Sequence, residues 1–179
     1  MNQHVQGRTV LTATWESGTA GHLTCGAERV PCAFGRSGTA PAKREGDGAT
    51  PLGAFRLRSC YWRPDRGPRP VTGLPTIPIR SDLGWCDAPG HPLYNRPVRL
   101  PFAASHERMW RDDSAYDVVV TMDQNMDPAV PGSGSAVFVH VTKTRDGTLT
   151  PTEGCVALAE DALRAVLEGC GVGAVLEIR

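Results

Sequence analysis

Glycine and proline recur along the whole of this chain and decide what it can fold into. Twenty glycines and fifteen prolines in 179 residues interrupt the backbone too often for long helices, because proline lacks the N–H a helix needs and glycine favours turns. A helical bundle is therefore disfavoured, and short apolar segments remain between the breaks. Thr9–Trp15 alternates at period two and reads as an opening strand. His22–Cys25 and Glu28–Ala33 read as a hairpin turning at Gly26-Ala27, and Ala54–Arg58 as a further strand. Tyr116–Thr121 and Ala136–Val141 carry the β-branched and apolar enrichment of central strands, and Ala174–Ile178 closes the domain. One segment has the helical period. Glu160–Glu168 gathers Ala162, Leu163, Val166 and Leu167 on one face, begins with acids where the dipole favours them, and stops at Gly169 or Gly171. A shorter helix is expected over Ser105–Arg111, capped by Ser105. The stretch from Tyr61 to Pro101 holds most of the prolines and little periodicity. It reads as an ordered excursion over one face, since Trp62, Trp85 and Tyr94 suit packing. The fold class is β-rich mixed α/β, as a single domain over residues 1–179.

The chemistry concentrates in two segments. Phe138-Val139-His140 delivers a histidine at the end of an apolar run, and fifteen residues later comes Cys155, inside Thr152-Glu153-Gly154-Cys155-Val156. The loop between them, Thr142–Thr150 with its Asp146-Gly147 turn, can fold back and set Cys155 beside His140. A thiolate is the attacking form of cysteine, and a neighbouring imidazole can take the thiol proton. Glycine before the nucleophile permits a tight turn, and the N–H groups of Gly154 and Cys155 are candidates to hold an oxyanion. Taken alone, the pair could equally be two ordinary core residues.

The surrounding residues favour the chemical reading. Thr152–Leu158 (Thr-Glu-Gly-Cys-Val-Ala-Leu) resembles the nucleophile motif of the L,D-transpeptidase (YkuD-type) family, in which a histidine and a variable loop precede Ser/Thr-x-Gly-Cys-aliphatic. Lys43–Gly53 is similar to that family's Lys-x-x-Gly-Asp-Gly-x-Thr-Pro-x-Gly turn, and Gly134–His140 to the strand that carries its base. Trp85-Cys86-Asp87, Tyr94-Asn95-Arg96-Pro97 and Ser105–Trp110 are similar to the middle region of its short branch. The matching segments run in the family's order from about residue 33 to the C-terminus.

The resemblance implies a YkuD-like β-sandwich with one helix after the cysteine, and a cofactor-free acyl transfer on peptidoglycan stem peptides, which serve as donor and acceptor. Cys155 would be the nucleophile and His140 its base, oriented by the backbone carbonyl of Val141. The products would be 3-3 or 1-3 cross-links, and carbapenems would acylate the cysteine. An L,D-carboxypeptidase or endopeptidase outcome and a non-catalytic peptidoglycan-binding domain remain as alternatives. Three positions depart from the common pattern: Glu153 and Val141 stand where His and Gly are usual, and Ala157 where Arg is usual. A carboxylate aimed at the thiolate would oppose its formation. Glu153 is therefore expected to face outward, either binding an amine of the substrate beside Thr152 or simply solvated. Tyr94, Asn95 and Arg96 suit a stem-peptide carboxylate or, equally, a plain turn. His106 and Glu107, with Trp110 and Arg111, fall in a segment similar to a substrate-side one, although an exposed helix face would look the same. Lys43–Thr50 reads as a structural turn.

Nineteen basic and nineteen acidic residues leave no net charge and no basic run, which disfavours nucleic acid as a partner. No apolar stretch approaches the roughly eighteen residues of a transmembrane helix. The substrate implies a periplasmic or cell-wall location, whereas residues 1–30 show no signal-peptide pattern, so a cytoplasmic location stays open. Six cysteines without a Cys-x-x-Cys pair give no metal-site spacing. Cys25, Cys32, Cys60 and Cys170 read as small buried side chains, with Cys25 and Cys32 the nearest pair should disulfides form.

Overall fold

The computed structural model describes residues 9–145 and 148–179; the Asp146-Gly147 turn lies outside the described residues. The elements in chain order are β1 (Val10–Ser17), β2 (Ala20–Cys25), β3 (Glu28–Ala33), β4 (Thr39–Ala40), β5 (Thr50–Pro51) and β6 (Gly53–Trp62). There follow β7 (Thr76–Pro78), β8 (Leu83–Cys86), β9 (Pro97–Arg99), β10 (His106–Arg108), β11 (Val118–Met122) and β12 (Phe138–Val141). The chain ends with β13 (Thr144–Arg145), β14 (Thr148–Leu149), β15 (Val156–Leu158), α1 (Glu160–Glu168) and β16 (Val175–Ile178).

The principal sheet runs β11-β12-β15-β3-β2-β1-β16-β6-β7, and β6 also pairs with β11, so the strand order returns on itself. Its two faces bury different things. Along β11, Val118, Val120 and Met122 enter one apolar core while Val119 enters a second. Along β12, Val139 and Val141 enter the first core, and Phe138 enters the second. This is the period-two alternation of a strand covered on both sides. Helix α1 closes the first core with Leu163, Val166 and Leu167, its acidic Glu160 and Asp161 lying in the first turn as expected. The helix ends at Gly169, which adopts right-handed rather than left-handed geometry (φ −84°, ψ −4°).

The proline-rich excursion is ordered and builds the floor of the second core. Strand β8 pairs with both β9 and β10 in a small three-stranded sheet. Trp85 on β8 packs edge-on against Phe138, ring centroids 5.1 Å apart, and against Tyr61 at 6.3 Å. The expected helix over Ser105–Arg111 does not form. His106, Glu107 and Arg108 pair instead with Cys86, Trp85 and Gly84. A helix of so few residues is marginal by itself, and the ladder supplies the hydrogen bonds it would lack. Two other boundaries shift. Strand β6 runs on to Trp62, held there by β11 and β7, and β12 starts at Phe138 because Ala136 has φ +51° and cannot continue a strand.

All six cysteines are free thiols. Hairpin register explains why Cys25 and Cys32 do not meet: Cys25 stands opposite Glu28, and Cys32 opposite Gly21. No helix among the described residues is long and apolar enough to cross a membrane.

Candidate active site

Strands β12 and β15 are parallel neighbours with Val139 opposite Val156 and His140 opposite Ala157. That register brings Cys155, one residue before β15, alongside Phe138, whose N–H donates to Cys155 Sγ at 3.2 Å. The thiol in turn donates to the Ala136 carbonyl at 3.4 Å. His140 lies two residues beyond Phe138, hence on the same face of the strand. His140 and Cys155 both open on one cavity of about 790 Å³, a volume ordinary for a ligand site.

The nucleophile loop is fixed from behind. Thr152 Oγ1 donates to the Cys155 carbonyl at 2.7 Å and accepts from the Gly154 N–H at 3.1 Å. Thr50 Oγ1, on β5, reaches the same carbonyl at 3.2 Å and accepts from the Gly35 N–H at 2.8 Å. Of the two amides expected to hold an oxyanion, that of Gly154 is thus engaged by Thr152. Gly154 itself has φ +135°, and a side chain there would press within 2.9 Å of the Ala49 carbonyl.

His140 Nδ1 lies 2.8 Å from the Val141 carbonyl. A carbonyl only accepts, so Nδ1 carries the proton and Nε2 of the neutral ring is the basic nitrogen. The Tyr116 ring meets the imidazole edge-on with centroids 5.4 Å apart, while its hydroxyl donates to Glu107 at 2.7 Å. Arg111 stands over the Tyr116 ring, forked onto Asp113 at 2.9 and 2.7 Å. That segment is anchored by Arg63, a buried guanidinium that stacks on Trp110 at 3.6 Å and donates to the Arg111 carbonyl at 2.5 Å.

Electrostatics favour a neutral resting pair. Burial pushes the Cys155 thiol up to about 12, with the Phe138 N–H and the Lys43 ammonium pulling down and the Glu107 carboxylate pushing further up. Burial lowers the His140 imidazole below its ordinary 6.5; the Val141 carbonyl and Asp113 oppose this, and Arg111 adds to it. Burial also raises Glu107, against the Tyr116 hydroxyl and Arg111. Both shifts favour the neutral thiol and the neutral imidazole over a preformed ion pair, so proton transfer to Nε2 is expected to accompany attack. Removing the Glu107 charge should ease thiolate formation. Glu107→Gln is expected to move the inflection of Cys155 alkylation to lower pH; an unmoved inflection in a pH series with iodoacetamide would show that this carboxylate does not act on the thiol.

Of the residues singled out from the sequence, Thr152, Glu153, Gly154, Cys155, His140, His106 and Arg111 line the cavity. Glu153 stands at its rim, exposed, with its carboxylate on Arg36 Nε at 2.6 Å. Tyr94, Asn95, Arg96 and Trp110 do not line it, and the polar groups of the first three are spent within the protein. The buried Tyr94 hydroxyl donates to Glu45, and Arg96 holds the Met126 carbonyl and Asp127. Asn95 Oδ1 accepts from Trp85 Nε1 at 2.9 Å and from the Ala136 N–H at 3.1 Å, while Nδ2 donates to the carbonyls of Gln124 and Asn125. It thereby fixes the turn whose Ala136 carbonyl receives the Cys155 thiol. Asn95 has φ +57°, which asparagine tolerates better than alanine. Asn95→Ala leaves several buried partners unpaired and should cost about 3 kcal/mol, roughly 6–12 °C in Tm by thermal denaturation. Glu107, expected only as part of a substrate-side segment, also lines the cavity, as does Tyr116, which carried no site signal; Thr50 and Lys43 were expected only as parts of a turn. The signal for the latter two was present, since both stand in the Lys43–Gly53 turn that resembles a family motif.

Among solved structures the chain is similar to an L,D-transpeptidase from Mycobacterium tuberculosis H37Rv, with 13% identity, TM-score 0.45, and coverage of 96% of this chain and 57% of that one. An L,D-transpeptidase from Mycobacterium smegmatis matches at 14% identity and TM-score 0.45, covering 96% and 58%. Bd1075 of Bdellovibrio bacteriovorus matches at 13% and 0.48, covering 97% and 48%. The chain thus spans under two thirds of the length of these proteins. No curated protein matches it. Residues 8–178 match the profile of the YkuD L,D-transpeptidase catalytic domain, and the chain belongs to that family.

Proposed function

We propose that residues 1–179 form one catalytic domain, a cysteine-dependent L,D-transpeptidase that cross-links peptidoglycan stem peptides in the cell-wall compartment. The observation that carries this reading is the placement of His140 on β12 and of Cys155 just before the parallel neighbour β15, both open to one cavity, with His140 Nδ1 tied to Val141 so that Nε2 is the base. Cys155 Sγ attacks the carbonyl of an L-to-D peptide bond as its proton passes to Nε2. The Cys155 N–H, left over once Gly154 is engaged by Thr152, stabilises the oxyanion; one such donor contributes about 3 kcal/mol to the transition state. The imidazolium then protonates the departing D-side amine, leaving a thioester on Cys155. An amine of a second stem peptide attacks that thioester, giving its proton to Nε2, and the thiol is released. A 3-3 cross-link results if the bond follows the third residue of the stem, and a 1-3 cross-link if it follows the first.

The acceptor distinguishes transfer from hydrolysis, and product analysis reads it directly. Purified muropeptides incubated with the protein should give new dimers whose fragmentation shows the linkage. Shortened monomers alone would replace the transpeptidase by a carboxypeptidase or endopeptidase. Unchanged muropeptides would leave a binding domain. Glu153, being paired with Arg36 and exposed, is not assigned a role in acceptor capture.

A further inference from the structure

The Lys43–Thr50 turn does more than reverse the chain, because it buries a charge behind the nucleophile. The Lys43 side chain is only 6% exposed. Its stem passes beneath Gly134, where a Cβ would fall 2.6 Å from Lys43 Cγ, and its ammonium ends against Gly154, where a Cβ would fall 3.2 Å from Nζ. Both glycines have positive φ, +89° and +135°. They leave a channel that a lysine fills, and Gly154 is the residue joined to Cys155. Nζ donates to the Arg44 carbonyl at 3.0 Å and to Asp47, while Asp47 also accepts from the N–H groups of Arg44 and Ala49 at 2.8 and 2.9 Å. Lys43 lines the same cavity as Cys155. Burying an ammonium is costly, and a turn can be closed without one. A cation held beside a centre that becomes anionic during reaction gives that cost a function.

We propose that Lys43 is a positioning residue of the nucleophile: its ammonium, threaded between Gly134 and Gly154 and held by Asp47, is the fixed positive charge against which negative charge develops at Cys155. The proposal rests on Cys155 being the nucleophile. Lys43 opposes Glu107, whose carboxylate acts on the thiol with the other sign. Tyr116, His140 and the Arg111–Asp113 pair face the same space, as do Glu45, Lys143 and Glu153.

Two substitutions separate this role from simple bracing of the turn. Lys43→Met keeps the stem and removes the charge, whereas Asp47→Asn keeps the ammonium and removes its counter-charge. Iodoacetamide alkylation of Cys155 is followed by peptide mass spectrometry across pH in wild type and both variants, with Tm measured on each. Lys43→Met should move the inflection to higher pH and slow alkylation at neutral pH roughly tenfold. Asp47→Asn should move it to lower pH and speed alkylation, and the limiting alkaline rate should be common to all three. A Lys43→Met profile that coincides with wild type, or two variants that shift in the same direction, would overturn the proposal. If Lys43→Met does not fold, the direction of the Asp47→Asn shift decides alone. A wild-type Cys155 inert at every pH would overturn the nucleophile reading itself, and the proposal with it.

Discussion

Replacing Cys155 with alanine is expected to lower acyl transfer by about 10⁴- to 10⁶-fold, because among the described residues it is the one thiol that lines the cavity. None of the other five thiols lines the cavity. Cys60, Cys32 and Cys170 belong to the first core, Cys25 packs against it, and Cys86 is buried in β8. The fold should survive the change at modest cost. Cys155→Ala removes one small buried atom but leaves the Phe138 N–H without its acceptor, a loss of about 1–3 kcal/mol. Cys155→Ser keeps that acceptor and should recover most of the stability without the activity, since a hydroxyl beside this base is a far weaker nucleophile than a thiol. Transfer rates and thermal melts on both variants test the two halves of the expectation. Activity above a hundredth of wild type in Cys155→Ala would remove the covalent mechanism.

His140→Gln should lower the rate by about 10²- to 10⁴-fold, the usual worth of a general base. It should also alter the shape of the pH profile. Acylation needs Nε2 unprotonated, so wild-type activity falls as pH drops through the folded-state value of His140. Burial lowers that value below 6.5, and the acid limb accordingly lies below the ordinary histidine range. In His140→Gln the limb should vanish along with most of the rate. The same shift links to stability with a definite sign. The unfolded chain takes up this proton more readily than the folded one, so the stability contribution is full above about 6.5 and is lost as pH falls toward the folded value. A pH–rate series on both proteins checks this, and an acid limb that persists in His140→Gln would assign it to another group.

Local signals carried much of this fold. The hairpin of β2 and β3 and the bounds of α1 were legible because alternation, helical period and a terminal glycine are properties of neighbouring residues. The His140–Cys155 constellation was legible from spacing together with the resembling segments. What escaped depended on distant partners. His106–Arg108 is a strand only because Gly84–Cys86 lies beside it. Ala136 leaves β12 because Asn95, from the proline-rich excursion, holds its N–H. The Tyr94–Arg96 segment suited a carboxylate site and a plain turn equally, and its polar atoms are consumed within the protein. Lys43 looked like a turn residue until Gly134 and Gly154, remote in sequence, closed around it. Glu153 was expected to face outward and is exposed, but the Arg36 that pairs with it carried no local signal.

The account stands or falls on a thioester at Cys155. Wild-type protein incubated with a stem-peptide donor in the absence of acceptor, then examined by intact and peptide mass spectrometry, should carry the donor less its D-side residue on the Cys155 peptide. Hydroxylamine should release it. A carbapenem should block the same thiol. No adduct at Cys155, an adduct on another residue, or one that persists in Cys155→Ala would contradict the account.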